Sequence, residues 1–125
     1  MSTVLVIDSH EPVRCLIRHM LEPVGYEVTE AATPSEALSL ARTRVVDVIM
    51  MDLIEPVRAG LDAIGAIRQS FPQSKIIAMT GEAIPTLEVI EVSRLFGAHA
   101  TLLKPFTPHT LFKILSSLWR HRTAA

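Results

Sequence analysis

The chain has 125 residues, of which 49% are apolar and 20% charged, and a net charge of −1. That length suits one globular domain with a real core, and the near-neutral balance excludes the basic footprint of a nucleic-acid binder. The only cysteine, Cys15, excludes an intrachain disulfide and suits a reducing compartment. Charges interrupt every apolar stretch before it is long enough to span a bilayer.

Val4 to Ile7 is a continuous apolar run rich in β-branched residues, as in a strand covered on both faces. The N-terminus enters this run at once, without a signal-peptide pattern. Val13, Leu16, Ile17, Met20 and Leu21 then recur at helical spacing, and Pro23 with Gly25 ends the helix. Within it, Cys15 reads as a small core residue. Tyr26 to Ala31 alternates more strongly, which predicts an edge strand. Thr33-Pro34-Ser35-Glu36 is a capping box with proline at the first helical position, and Ala37, Leu38 and Ala41 supply the buried stripe.

Val45 to Met51 is apolar almost throughout and predicts a central strand. Leu61, Ile64 and Ile67 mark a third helix after Gly60, closed by Phe71-Pro72. Lys75 to Met79 is the fourth strand. Leu87, Ile90, Leu95 and Phe96 mark the fourth helix, with Gly97 at its C-terminal cap. Ala100 to Leu103 is the fifth strand. Thr107-Pro108 opens the last helix, whose core face is Leu111, Ile114, Leu115 and Leu118. The basic residues Arg120, His121 and Arg122 read as a frayed, solvated tail.

Five strands alternating with five helices predict an α/β fold with a doubly wound five-stranded parallel sheet. No glycine-rich loop follows the first strand, which argues against a nucleotide site of the dinucleotide or P-loop kind. Polar residues instead close the strands: Asp8 after the first, Asp52 after Met51, Thr80 after Met79, Lys104 after Leu103. In an open parallel sheet the ligand crevice lies at the carboxyl ends of the strands. A carboxylate facing a hydroxyl and an ammonium there is suited to holding a phosphoryl group. That transfer needs positioning and charge neutralisation more than covalent help.

The segments VLVIDSHEPVR, GYEVTEA with SEAL, VIMMDLIEP, IIAMTG and GAHATLLKPF, in that order, resemble the receiver domain of bacterial two-component response regulators, over nearly the whole chain. The resemblance implies a flavodoxin-like sheet of order 2-1-3-4-5 and a single receiver domain over residues 1–125. It implies Asp52 as phospho-acceptor, Thr80 as the switch hydroxyl, and Lys104 as the lysine that pairs with the acceptor and then with the phosphoryl group. It implies Mg²⁺ held by Asp8 and Asp52, and Pro105 as the proline commonly preceded by a cis bond. The implied partners are a histidine kinase or phosphotransfer protein and a downstream protein or output domain, in the cytoplasm. A homodimer through the face of helix 4, strand 5 and helix 5 is a further arrangement it allows.

The chain departs from that pattern in places. Ser9 stands where the family has a second acidic residue, so weak Mg²⁺ binding is expected. Glu55 replaces a mostly apolar residue and, turned inward, would return a carboxylate to the metal. Glu82 lies two residues after Thr80, at a position that the resemblance marks as one that tunes hydrolysis in the family. His10 borders the acidic loop, but no second His or Cys stands at ligand spacing, so a hard cation is favoured over zinc. Thr101 stands where the family commonly has Tyr or Phe, and the segment from Gly81 to Thr86, with Pro85, is long. These departures leave a second reading open: a pseudo-receiver, a binding module of the same fold that is not phosphorylated.

Overall fold

The computed structural model describes residues 2–53, 57–81 and 87–123. Five strands alternate with five helices: β1 (Thr3–Ile7), α1 (Glu11–Leu21), β2 (Glu27–Ala31), α2 (Pro34–Leu40), β3 (Val48–Asp52), α3 (Val57–Ser70), β4 (Lys75–Thr80), α4 (Leu87–Phe96), β5 (Ala100–Leu103) and α5 (Pro108–Thr123). All four pairings are parallel, in the order β2-β1-β3-β4-β5. The predicted class, sheet order and edge position of β2 therefore hold.

Side chains alternate across a strand, and here that alternation builds two cores. Val4, Val6, Val48, Met50, Ile77, Met79 and Leu102 pack with Ile17 and Leu21 of α1 and with Leu111, Leu115 and Leu118 of α5. Leu5, Ile7, Ile49, Met51, Ile76 and Ala78 pack on the other face, with Ala37 of α2 and Leu61, Ile64 and Ile67 of α3. Both faces of the central strands are thus covered, which is why their sequences are continuously apolar.

The local start and stop signals act as expected. Thr33 Oγ1 accepts the Glu36 N–H at 3.1 Å, and the Glu36 carboxylate accepts the Ala32 N–H at 2.6 Å. Thr107 Oγ1 accepts the Thr110 N–H at 3.2 Å at the start of α5. Gly25 (φ 99°) and Gly97 (φ 130°) hold the left-handed backbone that ends their helical segments.

Several predicted positions differ. Val45 is exposed, and β3 begins only at Val48. The Asp47 carboxylate accepts the Thr3 N–H at 2.8 Å, which shapes the chain just before the ladder forms. Cys15 is exposed rather than buried, because it lies about 200° around the helix from both Val13 and Ile17. Leu16 is also largely exposed; it lines an open cavity of about 390 Å³ with Val13, Lys104, Pro105 and Phe106. Leu95 is exposed, and α4 packs through Val89, Val92 and Phe96 instead. Gly60 lies inside α3 rather than before it, and α5 runs on to Thr123, taking in residues 120–122.

Candidate functional site

The carboxyl ends of β1, β3, β4 and β5 lie side by side, with Ile7 beside Met51, Asp52 beside Met79 and Thr80 beside Leu103. Two polar residues just past strand ends stay tied to the sheet. The Asp8 N–H donates to Ala31 O at 3.1 Å, and the Lys104 N–H donates to Thr80 O at 2.7 Å. Asp8 therefore continues the alternation of Val4 and Val6, Asp52 that of Val48 and Met50, and Lys104 that of Leu102. All three take the α1–α5 side of the sheet rim. Thr80 carries the parity of Ile76 and Ala78.

The structure brings Asp8, Asp52 and Lys104 together. Lys104 Nζ lies 2.9 Å from Asp8 Oδ2 and 2.9 Å from Asp52 Oδ1. The Asp8 side chain is fully buried, whereas those of Asp52 and Lys104 keep some solvent. A buried carboxylate is costly unless paired and hydrogen-bonded, and Asp8 is both. Its Oδ1 accepts the His10 N–H at 2.9 Å. Burial pulls the Lys104 pKa down, but the hydrogen bonds and charges of Asp52 and Asp8 outweigh it and raise the pKa above the ordinary lysine value.

Thr80 is buried at the end of β4, next to β3, and its backbone is fastened to Lys104. The Lys104–Pro105 bond is cis. Ser9 is exposed, and a cavity of about 140 Å³ opens between Asp8, Ser9, Asp52 and the Ala32–Pro34 turn. Glu55, Glu82 and Pro85 lie outside the described residues. Thr101 is half-buried within β5.

Two residues matter more than their sequence context suggested. The sequence puts His10 beside the acidic loop, where a His–Asp metal pair is conceivable but a hard-cation site is the better reading; in the structure its Nδ1 lies 3.2 Å from Asp8 Oδ1. One ligand atom from each of Asp8, His10 and Asp52 falls within 4.8 Å of the others. Arg14 donates to Asp8 O at 2.7 Å and to Glu30 at 2.9 Å, so it clamps the end of β1 to β2. The available signal was the i,i+4 pair Arg14 and Arg18, both of which meet Glu30.

The donor set suits a divalent cation. Two carboxylates against one ammonium leave an excess of negative charge. Lys104 engages Asp8 Oδ2 and Asp52 Oδ1, which leaves the other Asp52 oxygen clear of the lysine, while Asp8 Oδ1 accepts the His10 N–H through one of its two lone pairs. Oxygen ligands of this kind fit a hard cation.

The family model described as the response regulator receiver domain matches residues 4–116. The chain is 30% identical over 118 residues to the chemotaxis protein CheY of Thermotoga maritima, covering 92% of this chain and 95% of that one. It is 31% identical over 123 residues to the autoinducer 1 sensor kinase/phosphatase LuxN of Vibrio campbellii, covering 98% of this chain but only 14% of that protein. Its fold matches a crystal structure of a Burkholderia pseudomallei response regulator protein with a phosphorylated aspartic acid, calcium ion and citrate. That match has a TM-score of 0.79 and 27% identity, and covers 90% of this chain and 65% of that one.

Proposed function

This chain belongs to the response regulator receiver domain family, and from that premise we propose that it accepts a phosphoryl group on Asp52. Receiver domains are signalling modules of two-component systems rather than classical enzymes. The donor in this reading is a phosphohistidine of a histidine kinase or phosphotransfer protein. An Asp52 oxygen attacks phosphorus, an O–P bond forms, the P–N bond breaks, and the imidazole leaves. The observation that carries the reading is the Lys104 ammonium, 2.9 Å from Asp8 and 2.9 Å from Asp52. It holds the acceptor at the rim and offsets charge that would repel an anionic donor.

Asp8 and Asp52 are the residues that would hold the divalent ion, with Glu55 as a further ligand proposed from sequence alone. Bound there, Mg²⁺ supplies positive charge to the phosphoryl oxygens. The Thr80 hydroxyl donates to a phosphoryl oxygen once the acceptor is loaded. Lys104 then pairs with the new dianion, and the α4–β5–α5 face changes its binding of a downstream protein, output domain or second copy. Residues 1–125 act as one receiver unit in the cytoplasm. No described helix is long and apolar enough to cross a membrane.

A second reading, a pseudo-receiver that binds partners without phosphorylation, is favoured by Ser9 in place of the second acidic residue. One experiment separates the two. The protein is incubated with acetyl phosphate and Mg²⁺, and Asp52 is followed by intact mass. The proposal expects one phosphoryl adduct in the wild type and none in Asp52→Asn, which keeps the shape and removes the nucleophile. An adduct surviving in Asp52→Asn refutes the assignment to Asp52. A folded wild type that never labels establishes the pseudo-receiver instead.

A further inference from the structure

The loop after β1 lacks one carboxylate, and the structure puts an imidazole beside the space left. We infer that His10 is the third protein ligand of the ion site, and that it tilts the site from Mg²⁺ toward Mn²⁺. The inference rests on the receiver reading for the presence of an ion between Asp8 and Asp52.

Three observations carry it. His10 Nδ1 stands 3.2 Å from Asp8 Oδ1, and two neighbouring ligands held about 2.1 Å from one octahedral ion stand about 3 Å apart. One ligand atom from each of Asp8, His10 and Asp52 lies within 4.8 Å of the others, so the three side chains are already gathered at one place. The oxygens not taken by Lys104 complete it, because the ammonium engages Asp8 Oδ2 and Asp52 Oδ1.

The ring can exchange its 3.2 Å contact with Asp8 Oδ1 for an ion. Its side chain is 70% exposed, so it can turn without disturbing the core. The backbone N–H, not the ring, makes the 2.9 Å bond that anchors the loop to Asp8. Ligation through Nδ1 needs the tautomer with its proton on Nε2, and an exposed ring can meet water there. Ser9 Oγ lies 3.4 Å from the same Nδ1, too weakly placed to hold the ring against an ion.

Chemistry then sets the preference. Mg²⁺ demands near-ideal oxygen coordination and gives up water reluctantly. First-row transition ions accept imidazole more readily than Mg²⁺ does, and Mn²⁺ also keeps the taste for carboxylates that Asp8 and Asp52 satisfy. A site of two carboxylates and one imidazole therefore suits Mn²⁺ better than the same site with three oxygens.

The test uses Mn²⁺ and Mg²⁺ as probes on the full chain. Mn²⁺ affinity is measured by electron paramagnetic resonance, Mg²⁺ by competition, and the ligand nitrogen by pulsed resonance of bound Mn²⁺. The wild type should show ¹⁴N modulation. His10→Ala should abolish that modulation and weaken Mn²⁺ about tenfold while changing Mg²⁺ by no more than about twofold. His10→Asp, which keeps a ligand but removes nitrogen, should lose the modulation and bring the two affinities closer. Absence of modulation in the wild type, or equal losses for both ions in His10→Ala, overturns the inference. Acetyl phosphate labelling of Asp52 is read in parallel, so the two ideas fail separately. Labelling without ¹⁴N modulation removes the ligand role of His10 and leaves the receiver reading. Modulation without labelling removes the phospho-acceptor and leaves the ligand role.

Discussion

Lys104 reaches from the end of β5 to Asp8 at the end of β1, 96 positions earlier in the chain, with 2.9 Å between Nζ and Oδ2. Asp8 is buried and Lys104 is only partly exposed, so the ammonium is the principal cation offsetting that carboxylate. The same Nζ meets Asp52 at 2.9 Å. One lysine thus fixes the geometry between the acceptor and its acidic neighbour.

Removing that lysine should show in stability before it shows in signalling. Lys104→Ala should lower unfolding free energy by about 2–3 kcal/mol, at the low end for a broken buried pair because Lys104 and Asp52 keep some solvent. Added Mg²⁺ should recover more of the loss in the mutant than it adds to the wild type, since a competing cation is gone. Urea melts with and without Mg²⁺ measure both. A mutant as stable as the wild type would show that the bridge contributes nothing net.

Restoring the missing charge should tighten the ion site. Ser9→Asp should strengthen Mg²⁺ binding about tenfold, about 1.4 kcal/mol. If His10 and the new carboxylate serve one ion, the Mn²⁺ cost of His10→Ala should shrink in the Ser9→Asp background, because neighbours with a shared partner couple. Calorimetric titration of the single and double variants measures the coupling. An unchanged Mg²⁺ affinity in Ser9→Asp would move the pseudo-receiver reading ahead.

Far from the site, His99 sets an acid-side dependence. Its Nδ1 accepts the Ile76 N–H at 3.0 Å. Burial lowers its pKa below 6.5, with Lys75 and Arg68 adding to the effect. Between that depressed value and 6.5 the unfolded chain binds more protons than the folded one. The contribution is therefore fully present above pH 6.5 and is lost as pH falls through the folded pKa. His99→Gln keeps an acceptor without the titration, so its stability should fall less steeply below pH 6.5. Denaturant midpoints across that range check it, and parallel slopes would exclude His99 as the source.

The α2 cap offers a local test. Thr33→Ala removes the oxygen that accepts the Glu36 N–H and should cost about 1 kcal/mol. Because the Ala32–Pro34 turn borders the acidic cavity, Mg²⁺ affinity in this variant shows whether the turn also shapes the site. A thermal melt indistinguishable from the wild type would mean the turn is held without the cap.

The sequence by itself determined the order of elements, the doubly wound sheet and the strand-end positions of Asp8, Asp52, Thr80 and Lys104. Those follow from local signals: apolar runs, helical periodicity, capping residues and glycines each act within a few residues of themselves. Tertiary structure decided which way side chains face when periodicity is ambiguous. Cys15, Leu16 and Leu95 fit a helical pattern but lie off the stripe that meets the sheet. It also decided the partners. Spacing places His10 two residues from Asp8, but only the turn between β1 and α1 brings its ring to the carboxylate. The Lys104 bridge and the Arg14 clamp join residues of different elements. Such contacts depend on how strands align in space, and the one-dimensional pattern carries no distance across the sheet.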